Sequence, residues 1–162
     1  MIGEHHYTVA IQWQGNRGTG TSGYRDYGRE HAITAVGKSD IAASSDRTFH
    51  GDADRWNPEE LLLAALSQCH LLSYLHVAAS SGVIVVAYTD APTGTMMQTA
   101  VGGGHFTAAS LRPRVTIARP ASGTDAAAIN LAQSLHSDAA AKCFIAASVN
   151  FPVTHEAETF FA

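Results

Sequence analysis

The chain has 162 residues, 46% of them hydrophobic and only 15% charged, with a formal net charge of −4 and a pI near 6.1. This is enough chain for one domain with a substantial core. The mild acidity gives no electrostatic footprint for nucleic acid or an anionic membrane. The low charged fraction also suggests a surface partly covered by another subunit.

"MIGEHHYTVAIQWQG" lacks the basic-then-apolar order of a secretory signal. The expectation is therefore a cytoplasmic protein, and no stretch reads as the roughly 18 unbroken apolar residues of a membrane span. "YTVAIQWQG" (7–15) alternates and is rich in β-branched and aromatic residues, which predicts a strand. The Gly-rich turn "NRGTGTSG" (16–23) leads into a possible second strand within 24–36. A short strand near 40–43 then precedes a long polar loop. The glycines of 16–23 resemble a phosphate-binding loop, but they precede a strand rather than a helix, so a nucleotide reading fails.

A helix start is clearly written at 57. Asn57 can cap, Pro58 suits the first helical position, and Glu60 stands where a capping-box acid belongs. The helix should end at Ser80 or Ser81, with Gly82 as a left-handed stop. Its apolar residues cover nearly every face from Leu61 to Leu75, the pattern of a central helix buried by a sheet and by another chain. "VIVVAYTDA" (83–91) predicts a strand, and 94–120 two more joined by a glycine turn near 102–104. A second helix is expected within 124–148, broken near Ser137 and resumed as a short turn carrying Cys143. The final strand, 149–161, is interrupted at Pro152. Strands and helices do not alternate as in a parallel nucleotide-binding sheet, so the fold class is α+β, in a single domain over 1–162.

The two cysteines, Cys69 and Cys143, lie 74 positions apart and fit neither a disulfide scaffold nor a structural zinc site. Cys69 sits in the middle of the oily helix. An unpaired cysteine there often serves packing alone. A reactive one needs a cation beside it. Arg17, Arg25, Arg29, Arg47 and Arg55 precede the helix, and Glu59 in its first turn could hold one of them in a two-pronged pair. Glu59 could equally serve only the helix dipole. Ten residues separate Glu59 from Cys69, about 15 Å along a helix. Direct action of that carboxylate on the thiol of its own chain is therefore disfavoured. Either an arginine reaches between them or a second copy does, which favours a homodimer. His70 and His76 are six apart and share no helix face, so packing or interface roles suit them better than metal binding. His5-His6 has no zinc-ligand spacing beside it.

"NPEELLLAALSQC", followed late by "AKCFIAASVNFPV", resembles the OsmC/Ohr family of hydroperoxide-reducing proteins. The Asn-Pro-Glu opening, the Glu-to-Cys spacing and the late cysteine before a final strand carry the likeness, over roughly residues 5–160. The resemblance implies an intertwined homodimer in which antiparallel sheets wrap two central helices. It implies that Cys69 is the peroxidatic cysteine, Cys143 the resolving cysteine that closes a disulfide with it, and Glu59 the residue orienting a catalytic arginine. An external thiol, a dihydrolipoyl group or similar, would reduce the disulfide, with no metal and no organic cofactor. For the arginine, "SGYRDYGREH" offers Arg25 first and Arg29 second, and "DRTFHG" offers Arg47. Two other functions compete: a non-catalytic dimer that binds a small apolar ligand or senses redox state, and a hydrolase with a Cys69–His dyad. The second is weakened because His70 points about 100° away from Cys69 around the helix.

Overall fold

A computed structural model describes residues 3–162; the first two residues of the N-terminal stretch read above lie outside it. The chain forms two compact units, residues 1–62 and 63–162, and the fold is α+β.

In the first unit β1 (Ala10–Trp13), β2 (His31–Thr34) and β3 (Ile41–Ala43) form an antiparallel sheet in the order β1-β2-β3. The strand expected within 24–36 is only four residues long. Residues 16–30 instead fold into a loop in which Asn16 Oδ1 accepts the Gly18 and Gly20 N–H groups at 2.9 and 3.0 Å. Gly15 is closely enclosed, because a Cβ there would stand 2.0 Å from the Gly28 carbonyl oxygen. After β3, Arg47–Phe49 makes a 3-10 turn capped by Asp46.

Helix α1 (Pro58–Ser80) starts as its sequence predicts. Asn57 Oδ1 accepts the Glu60 N–H at 2.8 Å, and Glu60 Oε2 accepts the Asn57 N–H at 3.4 Å, so the capping box is closed from both sides. Gly82 ends the helix at φ +74°, where a Cβ would be strained, and the Val83 N–H closes the last turn on the Ala78 carbonyl at 2.9 Å.

The second unit carries two three-stranded sheets, with β4 (Val85–Thr89), β5 (Thr93–Gln98), β6 (Gly104–Leu111), β7 (Arg114–Ile117), β8 (Val153–His155) and β9 (Glu158–Phe161) in the orders β4-β7-β9 and β5-β6-β8. Three strands, not two, occupy 94–120, because Pro113 splits the "LRPRV" stretch between β6 and β7. The sheets are also not purely antiparallel, since β6 pairs β8 and β7 pairs β9 in parallel. The expected interrupted last strand is two strands serving different sheets. Helix α2 (Asp125–Ala141) runs unbroken through Ser137 and ends before Cys143. Thr124 caps its start by accepting the Ala127 N–H at 3.2 Å.

Leu66, His70, Tyr74, Val77 and Ala78 form the buried face of α1, at the i, i+4 spacing that keeps side chains in line. Tyr74, Val77 and Ala78 join Val115 and Ile117 of β7 and Ala132, Leu135 and Ala139 of α2 in one core cluster. Leu66 packs with Ala109 and Leu111 of β6 in another. The helix is not covered all round: Leu72 is 64% exposed and Leu75 38%. By length and composition α1 would equally suit a membrane span. Its fully buried row against β-strands and α2 is what makes it a core helix here.

Candidate active site

Cys69 stands half-buried on α1, one position from the buried row, and Cys143 is buried at 2% exposure. Two consecutive tight turns place Cys143. Its N–H closes on the Ala140 carbonyl at 3.2 Å as α2 ends, and its carbonyl accepts the Ala147 N–H at 3.1 Å as the 3-10 turn Ala146–Ser148 begins. The backbone therefore holds the thiol from both sides. The two thiols are near enough to influence one another: Cys69 is among the groups that raise the Cys143 thiol. Burial first, and the neighbouring Cys69 thiol second, push the Cys143 thiol up to about 11, against the opposing effect of the Ala146 N–H, which donates to its sulfur at 3.4 Å. Cys143 is thus held protonated at neutral pH.

The core beside Cys69 holds a feature that sequence reading missed. His70 Nε2 and His136 Nδ1 are 3.0 Å apart, hydrogen-bonded through one shared proton. The rings run in a chain: His155 lies 4.2 Å from His70 and tilted to it, His70 is edge-to-edge with His136 at 5.3 Å between centroids, and His136 stacks on Tyr74 at 4.1 Å. The Tyr74 hydroxyl donates to the Ala132 carbonyl at 3.0 Å. Burial pushes His70 down to about 3 and His136 to about 4, and lowers His155 as well. His70 Nδ1 and His136 Nε2 are buried without hydrogen-bond partners. The three imidazoles form a chain rather than converge on a point, and no group of ligating side chains among the described residues has the arrangement of a metal site. His136 and His155 lie far from His70 in sequence, so no local pattern signalled the cluster. His76 is exposed and lines a groove with Ser80, Asp138 and Lys142.

In the first unit the predicted arginines separate. Arg25 and Arg29 line one basic cavity with Arg17, Tyr27 and His50. Arg29 is fixed: its guanidinium lies 4.6 and 4.1 Å from the Tyr24 and Tyr27 ring centres and donates to the carbonyls of the same two residues at 2.7 and 2.6 Å. Arg47 is exposed and opens the 3-10 turn. Arg55 pairs weakly with Asp52 at 3.9 Å. The two-pronged arginine pair expected of Glu59 is not formed. Its Oε2 is shielded from solvent with no hydrogen-bond partner among the described residues, because the cations nearest in sequence are engaged elsewhere or turned to solvent.

Residues 51–158 match the family model described as OsmC-like protein. The chain belongs to the OsmC-like family. An OsmC-like protein of unknown function from Vibrio cholerae has the same fold at TM-score 0.81 and 28% identity, over 96% of this chain and all of the other. An organic hydroperoxide resistance protein from Legionella pneumophila matches at TM-score 0.66 and 17% identity, covering 97% and 99% of the two chains. The organic hydroperoxide resistance protein OhrB of Bacillus subtilis matches at 0.61 and 19%, covering 94% and 98%. No curated protein matches by sequence. The fold is thus shared with proteins of hydroperoxide resistance.

Proposed function

We propose that this OsmC-like protein is a thiol-dependent peroxidase for organic hydroperoxides. One observation carries the reading: two thiols 74 positions apart in sequence are near enough for one to shift the other's ionisation, one more accessible and the other buried and held protonated. The Cys69 thiolate attacks the distal peroxide oxygen, the O–O bond breaks, and the alcohol leaves as Cys69 becomes a sulfenic acid. The Cys143 thiol then attacks that sulfur, expelling water and closing a disulfide. An external dithiol, such as a dihydrolipoyl group, restores both thiols by exchange. Apolar neighbours on α1 favour greasy hydroperoxides over hydrogen peroxide.

The assignment of the cation follows the resemblance: Arg25 first, with Arg29 and Arg47 as alternatives. The orphaned Glu59 oxygen supports an anchoring role for that carboxylate, since a shielded carboxylate oxygen is stabilised by a guanidinium. A homodimer is supported by the exposed apolar residues Leu72 and Leu75 on α1.

A second reading rests on a different observation. A cleft of about 540 Å³ lies between the end of α1 and the start of α2, lined by Val83, Ile84, Ile117 and Leu131 among others. It suits a non-catalytic dimer that binds a small apolar ligand or reports redox state. Peroxide consumption separates the two. With cumene hydroperoxide and excess dithiol, the peroxidase turns over many times and Cys69→Ser is inactive; treated with peroxide before dithiol is added, the wild type closes an intrachain disulfide and Cys143→Ser stops at the Cys69 sulfenic acid. Full turnover by Cys69→Ser would overturn the assignment, and a single stoichiometric oxidation of the wild type would favour the sensor.

A further inference from the structure

The cavity lined by Arg17, Arg25, Arg29, Tyr27 and His50 has a volume of about 310 Å³. Three guanidinium groups gathered in one cavity repel one another unless anions intervene. None of the three forms an ion pair with a carboxylate among the described residues, where the pairs of this unit are Arg55–Asp52 and His6–Glu4. The acids of the same segment do not line the cavity: Asp26 accepts from the Ser22 hydroxyl at 3.1 Å, and Glu30 follows Arg29 into β2.

The cavity is also built rather than incidental. The tyrosine sandwich and two carbonyl acceptors immobilise Arg29. The Asn16 turn described above shapes the segment that carries Arg17. His50 is the only non-glycine residue with positive φ among the described residues, at +65°, and its ring sits edge-on to Tyr24 at 5.2 Å. A side chain held in that sparsely populated region marks a position fixed by its surroundings.

We infer that this cavity is a binding site for an oxyanion, a carboxylate or phosphoryl group carried by a small molecule. A guanidinium fork matches two oxygens of such a group, and its hydrogen bonds are charge-assisted. The volume stands at the small end of ligand pockets, which fits an anionic head with a few carbons against Tyr27. Nucleic acid is disfavoured, because the cations form one cavity rather than a stripe and the chain is acidic overall. The inference is argued from the cavity and not from the thiols, although Arg25 and Arg29 are also the candidate cations of the peroxidase reading.

Calorimetric titration of the full-length protein, reduced with dithiothreitol in a chloride buffer of constant ionic strength, tests it. Pyrophosphate and glutarate serve as separate probes for the phosphoryl and carboxylate cases. The expected result is saturable binding of at least one probe, near one per chain. Arg17→Ala and Arg25→Ala should each weaken it by about tenfold or more, the loss expected for one charge-assisted hydrogen bond. The bound probe should also raise the melting temperature beyond the effect of equal ionic strength of sodium chloride. Arg17 is exposed, so its variant should fold normally, which circular dichroism verifies. Saturation by neither probe, or binding undiminished in both variants, overturns the site. Binding that persists after both thiols are alkylated separates this result from any failure of the peroxidase reading.

Discussion

The two chemically distinctive regions of this protein handle charge in opposite ways. Around Cys143 and the cluster of His70, His136 and His155, burial keeps ionisable groups neutral: a thiol is pushed up and three imidazoles are pushed down. Around Arg29, cations are collected at a partly open cavity and one of them is fixed by aromatic rings. The contrast teaches that titratable residues alone do not identify a site. The same residue types serve as neutral core material in one region and as a charged recognition surface in the other, and the degree of desolvation decides which.

Breaking the desolvated region should give the largest effects. Cys69→Ser should reduce hydroperoxide turnover to background in a coupled dithiol assay, because no other half-exposed thiol is present among the described residues. Leu66→Ala removes a fully buried side chain between α1 and β6. It should cost about 2–5 kcal/mol of stability in urea unfolding, with the slope of the transition unchanged.

Acid sharpens the comparison. His70 and His136 have folded-state values of about 3 and about 4, below the 6.5 of an exposed imidazole. Between those limits the unfolded chain binds more protons than the native one, so their stabilising contribution is complete above pH 6.5 and is lost as the pH falls toward 4. The melting temperature should therefore drop over that window. His136→Phe should flatten the drop, since it removes one imidazole and keeps the stack on Tyr74. A slope unchanged in that variant would place the acid sensitivity elsewhere.

Smaller effects should follow from single polar contacts. Tyr74→Phe loses the bond to the Ala132 carbonyl and should cost about 1–2 kcal/mol by denaturant titration. Arg112→Ala breaks an exposed pair with Glu156 and should change stability by less than about 1 kcal/mol.

Much of this comparison was legible in the sequence where the signals are local. The capping box of Asn57 and Glu60, the stop at Gly82 and the edges of α1 each depend on a few adjacent residues, and all formed as read. The family likeness was carried by motifs of the same local kind. Boundaries failed where tertiary contacts decide them. Pro113 divided a stretch that looked like one strand, and α2 passed through Ser137 because its buried face continues from Leu135 and His136 to Ala139. The pairing of Cys69 with Cys143 was read from the resemblance rather than from spacing. The clustered imidazoles were illegible, since they come from α1, α2 and β8 and share no sequence period. Of the arginines, sequence gave candidates but could not show that Arg29 is clamped by its own carbonyls, a contact set by the turn between Tyr24 and Tyr27.

The last ten residues illustrate how connectivity distributes mechanical strength. β8 and β9 are separated by only Glu156 and Ala157, yet each adds to a different sheet, and the Ala162 N–H still finds the Ile117 carbonyl at 3.0 Å. Gln133 of α2 fastens the junction by donating to the Ala157 carbonyl at 2.6 Å and accepting from Thr159 at 2.8 Å. The tail therefore works as a clasp: trimming it would loosen both sheets at once. For anyone preparing the protein, an affinity handle belongs at the opposite terminus.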